Sequence, residues 1–219
     1  MAMAVVALLA ALWGGLLRLG WDWPSVRSTL PVAHGPLMIS GFLGTLIGLE
    51  RAVALGQRWT YAGPTLTGLG ALALVVGVPG PVGRLFMAVG SLALVVVFAV
   101  IVRRQPSLPE ITMGVGALVW LVGNGLWLSG WPIFRVVGWW AGFLVLTIAG
   151  ERLELSRFLP ISRADRAAFL TAIGLFAAGL VLALWVFDMG ARLSGLGLLI
   201  LAFCSCATTS PDGRCTRLG

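Results

Sequence analysis

The sequence predicts an all-α fold, a bundle of membrane-spanning helices, and three observations support this prediction. Of the 219 residues, 59% are hydrophobic and only 11% are charged, whereas a soluble domain carries roughly 25% charged residues. The apolar residues form unbroken runs of about the 20 residues that one span requires. The runs do not alternate between apolar and polar positions, as the strands of a membrane barrel do. Because backbone in hydrocarbon must satisfy its own hydrogen bonds, the long runs indicate helices.

Eight apolar runs follow one another along the chain, and each is predicted to form one span. Turn-forming residues and arginines separate them, as at Gly56, at the Pro-Gly-Pro of residues 79–81 and at Arg103-Arg104. The tryptophans at positions 21 and 23, in the first loop, are typical of a membrane interface. The runs cover about residues 2–20, 33–55, 60–79, 84–102, 110–130, 133–150 and 166–187, with a last one from about 191.

The basic residues, all 15 of them arginine, predict the topology. More arginines follow the even-numbered runs than the odd-numbered ones. The first group is Arg51, Arg58, Arg103, Arg104, Arg152, Arg157, Arg163 and Arg166, and the second is Arg18, Arg27, Arg84, Arg135 and Arg192. Cytoplasmic loops are enriched in basic residues, so the N-terminus is predicted to be cytoplasmic, in the inner membrane of a bacterium or archaeon. The net charge of +7 thus reflects topology, and no nucleic-acid partner is expected. The lipid bilayer is the predicted partner, with a second copy or another membrane subunit left open.

An internal repeat is predicted from two similar segments, Gly41–Leu55 and Gly142–Ser156. Gly, Phe, Leu, Ile, Glu and Arg coincide in them at an offset of 142 − 41 = 101 positions. We therefore predict a duplicated four-helix unit within a transmembrane domain of residues 1–203, with repeats at about 1–104 and 105–203. Because four is even, the copies would be parallel. Chance similarity between apolar helices is the alternative. His34 falls opposite Arg135 in this alignment, which predicts an asymmetric site.

The C-terminal residues 204–219 differ from the rest of the chain. They contain all three cysteines, Cys204, Cys206 and Cys215, and a Cys-x-Cys pair suits copper or zinc. The other interpretation is a frameshift, because a shifted reading frame from Cys206 can encode an arginine-rich helix end. We expect an aberrant or disordered tail that replaces native sequence, including further spans.

His34 is the only histidine and the first candidate for chemistry, because histidine is a common ligand of transition metals and haem iron. Met38 follows one helical turn later, and Gly41, Gly44 and Gly48 continue as a smooth track for another helix or a flat macrocycle. A second haem ligand could come from Met38, Met87, Met113, a lost C-terminal histidine or another subunit. The alternative is an interfacial histidine bonded to a loop, beside glycines that serve only helix packing.

Two repeated ion pairs, Glu50-Arg51 and Glu151-Arg152, form the second candidate. Charges at the membrane edge are costly and usually paired, and neighbours on a helix point about 100° apart. Crossed salt bridges, Glu50 to Arg152 and Glu151 to Arg51, are therefore expected to lock the two halves. A proton or anion path is the alternative.

Other polar and aromatic residues are expected to stabilise the bundle. Asn124 should hydrogen-bond a neighbouring helix, and Trp131, Trp139 and Trp140 are expected in an outer aromatic belt.

One segment resembles known haem helices. The residues His34-Gly-x-Leu-Met-Ile, followed by Gly41-Phe42, resemble the histidine helix of haem-copper oxidase catalytic subunits. They are also similar to the NnrS family of haem- and copper-containing membrane proteins linked to nitric oxide stress. The resemblance implies that His34 ligates haem or copper. The other histidines of these families are missing, the Glu-Arg repeats have no counterpart there, and one histidine cannot form a binuclear centre.

These observations favour a non-enzymatic membrane protein that binds haem b or copper through His34 and Met38. No phosphate-binding loop, catalytic triad or zinc spacing is present in the sequence. One alternative is a transporter of small solutes or ions that uses Glu50, Glu151 and Arg135 between the repeats. A membrane scaffold without a ligand is the third possibility.

Overall fold

The structure, a computed structural model, describes residues 1–24, 27–155 and 163–209. Every regular element within these ranges is helical, so the predicted all-α class is confirmed. Eight continuous helices follow the eight apolar runs. They are α1 Ala2–Arg18, α2 Leu30–Leu55, α3 Arg58–Val76, α4 Val82–Arg104, α5 Leu108–Leu128, α6 Ile133–Leu155, α7 Arg163–Leu182 and α8 Phe187–Thr209.

Five of the helices in the described ranges, α2 to α6, are long and apolar enough to cross a membrane. Helix α1 and the segment Arg166–Leu182 of α7 are apolar but shorter. Large apolar side chains such as Leu9, Leu92 and Leu199 lie exposed on the helix surfaces. By length and composition, the described helices are therefore compatible with a membrane protein, whereas a count of eight spans stays a prediction.

Glycine and serine determine where several helices end or begin. Gly56 and Gly77 end α2 and α3 with φ of +66° and +74°, left-handed values that cost glycine little because it has no Cβ. Ser107 begins α5, and its hydroxyl accepts a hydrogen bond from the Glu110 backbone N–H at 3.4 Å. These signals are local, so they can be recognised in the sequence.

Helix α2 contains a π-helical segment, Leu37–Gly44, which the sequence analysis did not predict. The segment directly follows Pro36, whose ring nitrogen cannot donate a backbone hydrogen bond. A π-helix turns through fewer degrees per residue than an α-helix, so the face of α2 changes along its length. Ser40 and Gly41 are thereby buried in the bundle.

The glycines of α2 contact other helices. A Cβ built on Gly41 would lie 2.9 Å from the Cβ of Ala71, and one on Gly44 would overlap the Trp120 ring. At Gly48 it would lie 3.6 Å from Pro64. The glycine track thus brings helices close together, as the helix-packing interpretation expected.

The chain divides into two compact units, Met1–Leu144 and Val145–Gly219. The first contains α1 to α5 and the beginning of α6, around a core that includes the buried Trp120, Trp140 and Phe143. In the second, α7 and α8 pack closely, and the Ser194 hydroxyl donates to the Phe176 carbonyl at 3.5 Å.

The two units are defined by their compactness alone. They do not test the predicted duplication of residues 1–104 and 105–203, which stays a prediction. The predicted tail begins within α8, whose backbone is helical through Thr209. Residues 210–219, with Cys215, lie outside the described residues. The frameshift therefore also stays a prediction.

Candidate ligand site at His34

The side chain of His34 is oriented by a hydrogen bond from α2 to α1. Its Nδ1 lies 2.7 Å from the backbone carbonyl oxygen of Ala11. A carbonyl oxygen can only accept, so Nδ1 carries the proton and donates it. In the neutral ring this places the lone pair on Nε2, which has no hydrogen-bond partner among the described residues. The histidine is therefore held in a tautomer that can bind a metal through Nε2.

The close approach of α1 to α2 depends on two glycines in α1. A Cβ built on Gly15 would lie 3.0 Å from both Nδ1 and Cε1 of His34, and one on Gly14 would lie 2.6 Å from the Leu30 carbonyl oxygen. Both distances are shorter than a normal van der Waals contact. Glycine at position 15 thus provides the space that the imidazole ring occupies.

His34 lines an open pocket of about 610 Å³, which we call the His34 pocket. The volume lies within the roughly 300–1,000 Å³ of small-molecule and cofactor sites. Its wall is mainly apolar, and Arg18 and His34 are its charged or titratable members. The lining residues are Arg18, Pro31, Val32, His34, Gly35, Met38, Ile39, Ile133, Phe134 and Val137.

The predicted methionine ligands separate into two groups. Met38 lines the His34 pocket beside His34. Met87 and Met113 are fully buried members of the apolar core and do not line this pocket. Within the described ranges, no group of three or more His, Cys, Asp or Glu side chains could hold a metal ion.

Arg135, which the repeat alignment places opposite His34, does not line the His34 pocket. Its guanidinium carbon lies 5.8 Å from the ring centroid of Trp131 and 6.0 Å from that of Phe134. These distances are those of cation–π contacts at a partly exposed site. Arg135 therefore packs on aromatic side chains at the beginning of α6.

Glu50 and Arg51 lie near the opposite end of α2, 16 and 17 positions after His34 (50 − 34 and 51 − 34). A guanidinium nitrogen of Arg51 lies 3.3 Å from the Glu50 carboxylate, and the Arg51 carbon lies 5.9 Å from the Phe98 ring centroid. The long arginine side chain thus bends back to its neighbour in the chain. The crossed bridges to Glu151 and Arg152 stay a prediction, since those residues belong to the other unit.

Asn124 is the centre of a buried hydrogen-bond network in the first unit. Its Oδ1 accepts from the Ser40 hydroxyl at 3.2 Å and from the Trp140 indole N–H at 3.0 Å. Its Nδ2 donates to the Met87 carbonyl at 3.5 Å, and Ser40 accepts from the Trp120 indole N–H at 3.0 Å. The prediction that Asn124 bonds neighbouring helices is confirmed, because the network joins α2, α4, α5 and α6.

The predicted aromatic belt is wrong for Trp139 and Trp140, which are 7% and 0% exposed. Trp140 faces inward because Asn124 offers its indole N–H a buried acceptor. Its ring meets that of Trp127 edge to face, with centroids 5.4 Å apart. A tryptophan pair in an apolar run resembles an interfacial belt in the sequence, and contacts with other helices distinguish the two cases.

Comparisons with known proteins give one match. Residues 1–209 match the model of a family described as a domain of unknown function, DUF8744. No curated protein and no solved structure matches the chain. The function must therefore be inferred from the residues themselves.

Proposed function

The chain belongs to the DUF8744 family of unknown function, and from its geometry we propose that it is a non-enzymatic integral membrane protein that binds haem through His34. One observation supports this proposal above the others. The Nδ1 of His34 donates to a backbone carbonyl at 2.7 Å beside an open apolar pocket. Metal-ligating histidines almost always donate their other ring N–H to a carbonyl, carboxylate or water in this way.

Membrane insertion is supported by the five long apolar helices and by apolar side chains on their outer surfaces. Following the arginine distribution, we place the N-terminus in the cytoplasm of a bacterial or archaeal cell. The odd-numbered helix α1 then ends outside, where α2 begins at Leu30 and carries His34 in its second turn. The His34 pocket would accordingly open at the outer side of the inner membrane.

The set of available ligands favours haem over a bare copper ion. A porphyrin provides four nitrogen ligands itself and needs one axial histidine from the protein. Copper held by protein alone needs several side chains, and the described residues bring together no group of three or more His, Cys, Asp or Glu side chains. The volume of about 610 Å³ and the apolar wall also suit a macrocycle better than an ion.

In this proposal the residues of the His34 pocket have different roles. His34 offers Nε2 to the iron, and the Ala11 carbonyl holds the ring in that tautomer. Met38 lies one turn further along the same helix and lines the same pocket, so it would add a soft apolar contact to the macrocycle. Arg18 provides a positive charge for the carboxylates of haem, while Ile39 and Val137 exclude water. Haem bound there would supply iron chemistry at the pocket, and the resemblance to NnrS implies His34 as its ligand.

The test is the visible spectrum of the detergent-purified protein, reconstituted with haem, beside His34→Ala and His34→Gly. We expect a Soret band in the wild type, its loss in both variants, and its return in His34→Gly when imidazole is added. Gly15→Ala should weaken haem binding, because the new Cβ displaces the His34 ring. Gly125→Ala is the matched control, since no atom lies within 4 Å of its added Cβ.

A wild type that binds no haem under these conditions would refute the proposal. Equal haem binding by the wild type and His34→Ala would also refute it. Copper bound in its place, and lost in His34→Ala, would keep His34 as a ligand but exclude haem.

Transport remains the second candidate function, because Arg51 is a buried charge, 8% exposed, in a helix proposed to span the membrane. Charged residues inside membrane helices often mark ion or substrate paths. The contacts of Arg51 with Glu50 and Phe98 explain its position without transport. Haem binding is therefore favoured.

A further inference from the structure

A second open pocket, of about 470 Å³, lies beside the His34 pocket, and we call it the arginine pocket. The two pockets share Val32 and Ile133 but differ in their charged residues. The lining residues are Arg27, Ser28, Thr29, Val32, Ala33, Pro36, Leu74, Gly77, Val78, Pro79, Gly80, Arg84, Trp127 and Ile133. Two arginines and two hydroxyl residues thus face an otherwise apolar wall.

The two arginines bring positive charge that nothing in the pocket neutralises. No Asp or Glu lines the pocket. Across the described part of the chain, the guanidinium group of neither Arg27 nor Arg84 forms an ion pair or a hydrogen bond. Two guanidinium groups at one pocket repel each other, so an anion between them would be stabilised by both.

Each guanidinium group contacts another residue of the pocket, although Arg27 itself is exposed. The guanidinium carbon of Arg84 lies 5.3 Å from the ring centroid of Trp127, a cation–π contact that leaves its N–H groups available. The guanidinium of Arg27 occupies the space above Gly77, where a Cβ would overlap it. Ordering before binding lowers the entropic cost of binding a ligand.

We propose that the arginine pocket binds the phosphate of an anionic phospholipid. Arginine forms paired hydrogen bonds with phosphate oxygens, and Ser28 and Thr29 supply hydroxyl donors. Leu74, Val78 and Trp127 offer apolar contacts to the glycerol and the first acyl carbons, which free phosphate lacks. The inference rests on the membrane insertion proposed above, but it does not depend on haem.

Native mass spectrometry of the detergent-purified full chain, titrated with phosphatidylglycerol, tests this proposal. Phosphatidylcholine, whose headgroup has no net charge, and inorganic phosphate serve as the other probes. The wild type should retain one phosphatidylglycerol in preference to phosphatidylcholine. Arg27→Gln/Arg84→Gln should bind it at least about tenfold more weakly, since two charge-assisted contacts are lost. Arg58→Gln is the matched control, because Arg58 is an exposed arginine at the start of α3, and His34→Ala should also bind normally.

The proposal is wrong if the double variant binds phosphatidylglycerol like the wild type, or if the wild type prefers neither lipid. Equal affinity for inorganic phosphate and for phosphatidylglycerol would refute a phospholipid as the ligand. Circular dichroism verifies that the double variant is folded. Fractionation of cells distinguishes a failure of lipid binding from a failure of the proposed membrane insertion. A chain found outside the membrane fraction would refute membrane insertion itself.

Discussion

Replacing Asn124 by leucine is the sharpest test of how the first unit is held together. Leucine has nearly the same size but accepts no hydrogen bond. The indole N–H of Trp140 then loses an acceptor at 3.0 Å and the Ser40 hydroxyl loses one at 3.2 Å. All three side chains are fully buried, so water cannot replace the lost bonds.

The expected loss of unfolding free energy is about 2 kcal/mol. A buried polar group left unsatisfied costs about 1–3 kcal/mol, but hydrogen bonds between membrane helices average only about 0.6 and reach about 1.7 kcal/mol. Ser40 can turn its hydroxyl to a carbonyl of its own helix, so Trp140 accounts for most of the loss. Trp140→Phe removes that donor. The double variant Asn124→Leu/Trp140→Phe should therefore lose about 1 kcal/mol less unfolding free energy than the two single variants lose in sum.

The assay is reversible unfolding in mixed micelles with increasing denaturing detergent, followed by far-ultraviolet circular dichroism. Ser129→Ala is the control, because this exposed hydroxyl bonds only carbonyls within its own helix. An Asn124→Leu variant as stable as this control would refute the reasoning. Strict additivity of the Asn124 and Trp140 substitutions would also show that the hydrogen bond contributes nothing.

Two further predictions concern α2. Gly44→Ala should destabilise the protein by about 1–3 kcal/mol, because the added methyl group overlaps the buried Trp120 ring. Gly125→Ala is the control, because its added methyl group meets open space. Its free energy of unfolding in the same assay should equal or exceed that of the wild type. Glu50→Gln should change the unfolding free energy by less than about 1 kcal/mol, since the Glu50 side chain is 58% exposed, and it should leave haem binding unchanged. Solute uptake into proteoliposomes that is present in the wild type and lost in Glu50→Gln would instead favour the transporter.

Much of the architecture could be predicted because it depends on local properties of the chain. The eight helices follow the eight apolar runs, since run length, turn-forming glycines and arginine positions are all local signals. His34 stood out because it is the only histidine, and Asn124 because an amide in an apolar helix must find a partner. These predictions required no knowledge of which helix faces which.

The inward or outward direction of each side chain could not be predicted in the same way. In an apolar helix every face has similar hydropathy, so periodicity does not distinguish a lipid-facing side from a buried one. The predicted belt position of Trp140 was wrong for this reason. Arg27 and Arg84 were counted only as topology signals, because 57 residues separate them (84 − 27) and only folding brings them to one pocket.

The fold class, the order of the helices and the residue at the centre of the proposed ligand site can all be predicted from the order of the amino acids. Tertiary structure decided that His34 donates to Ala11 and thereby offers Nε2, and that the glycines of α2 pack against Ala71, Trp120 and Pro64. The difference lies in the distance along the chain over which the deciding contacts act. Helix formation is decided by hydrogen bonds within a few residues, whereas a pocket or a buried network depends on contacts between helices that are distant in the chain.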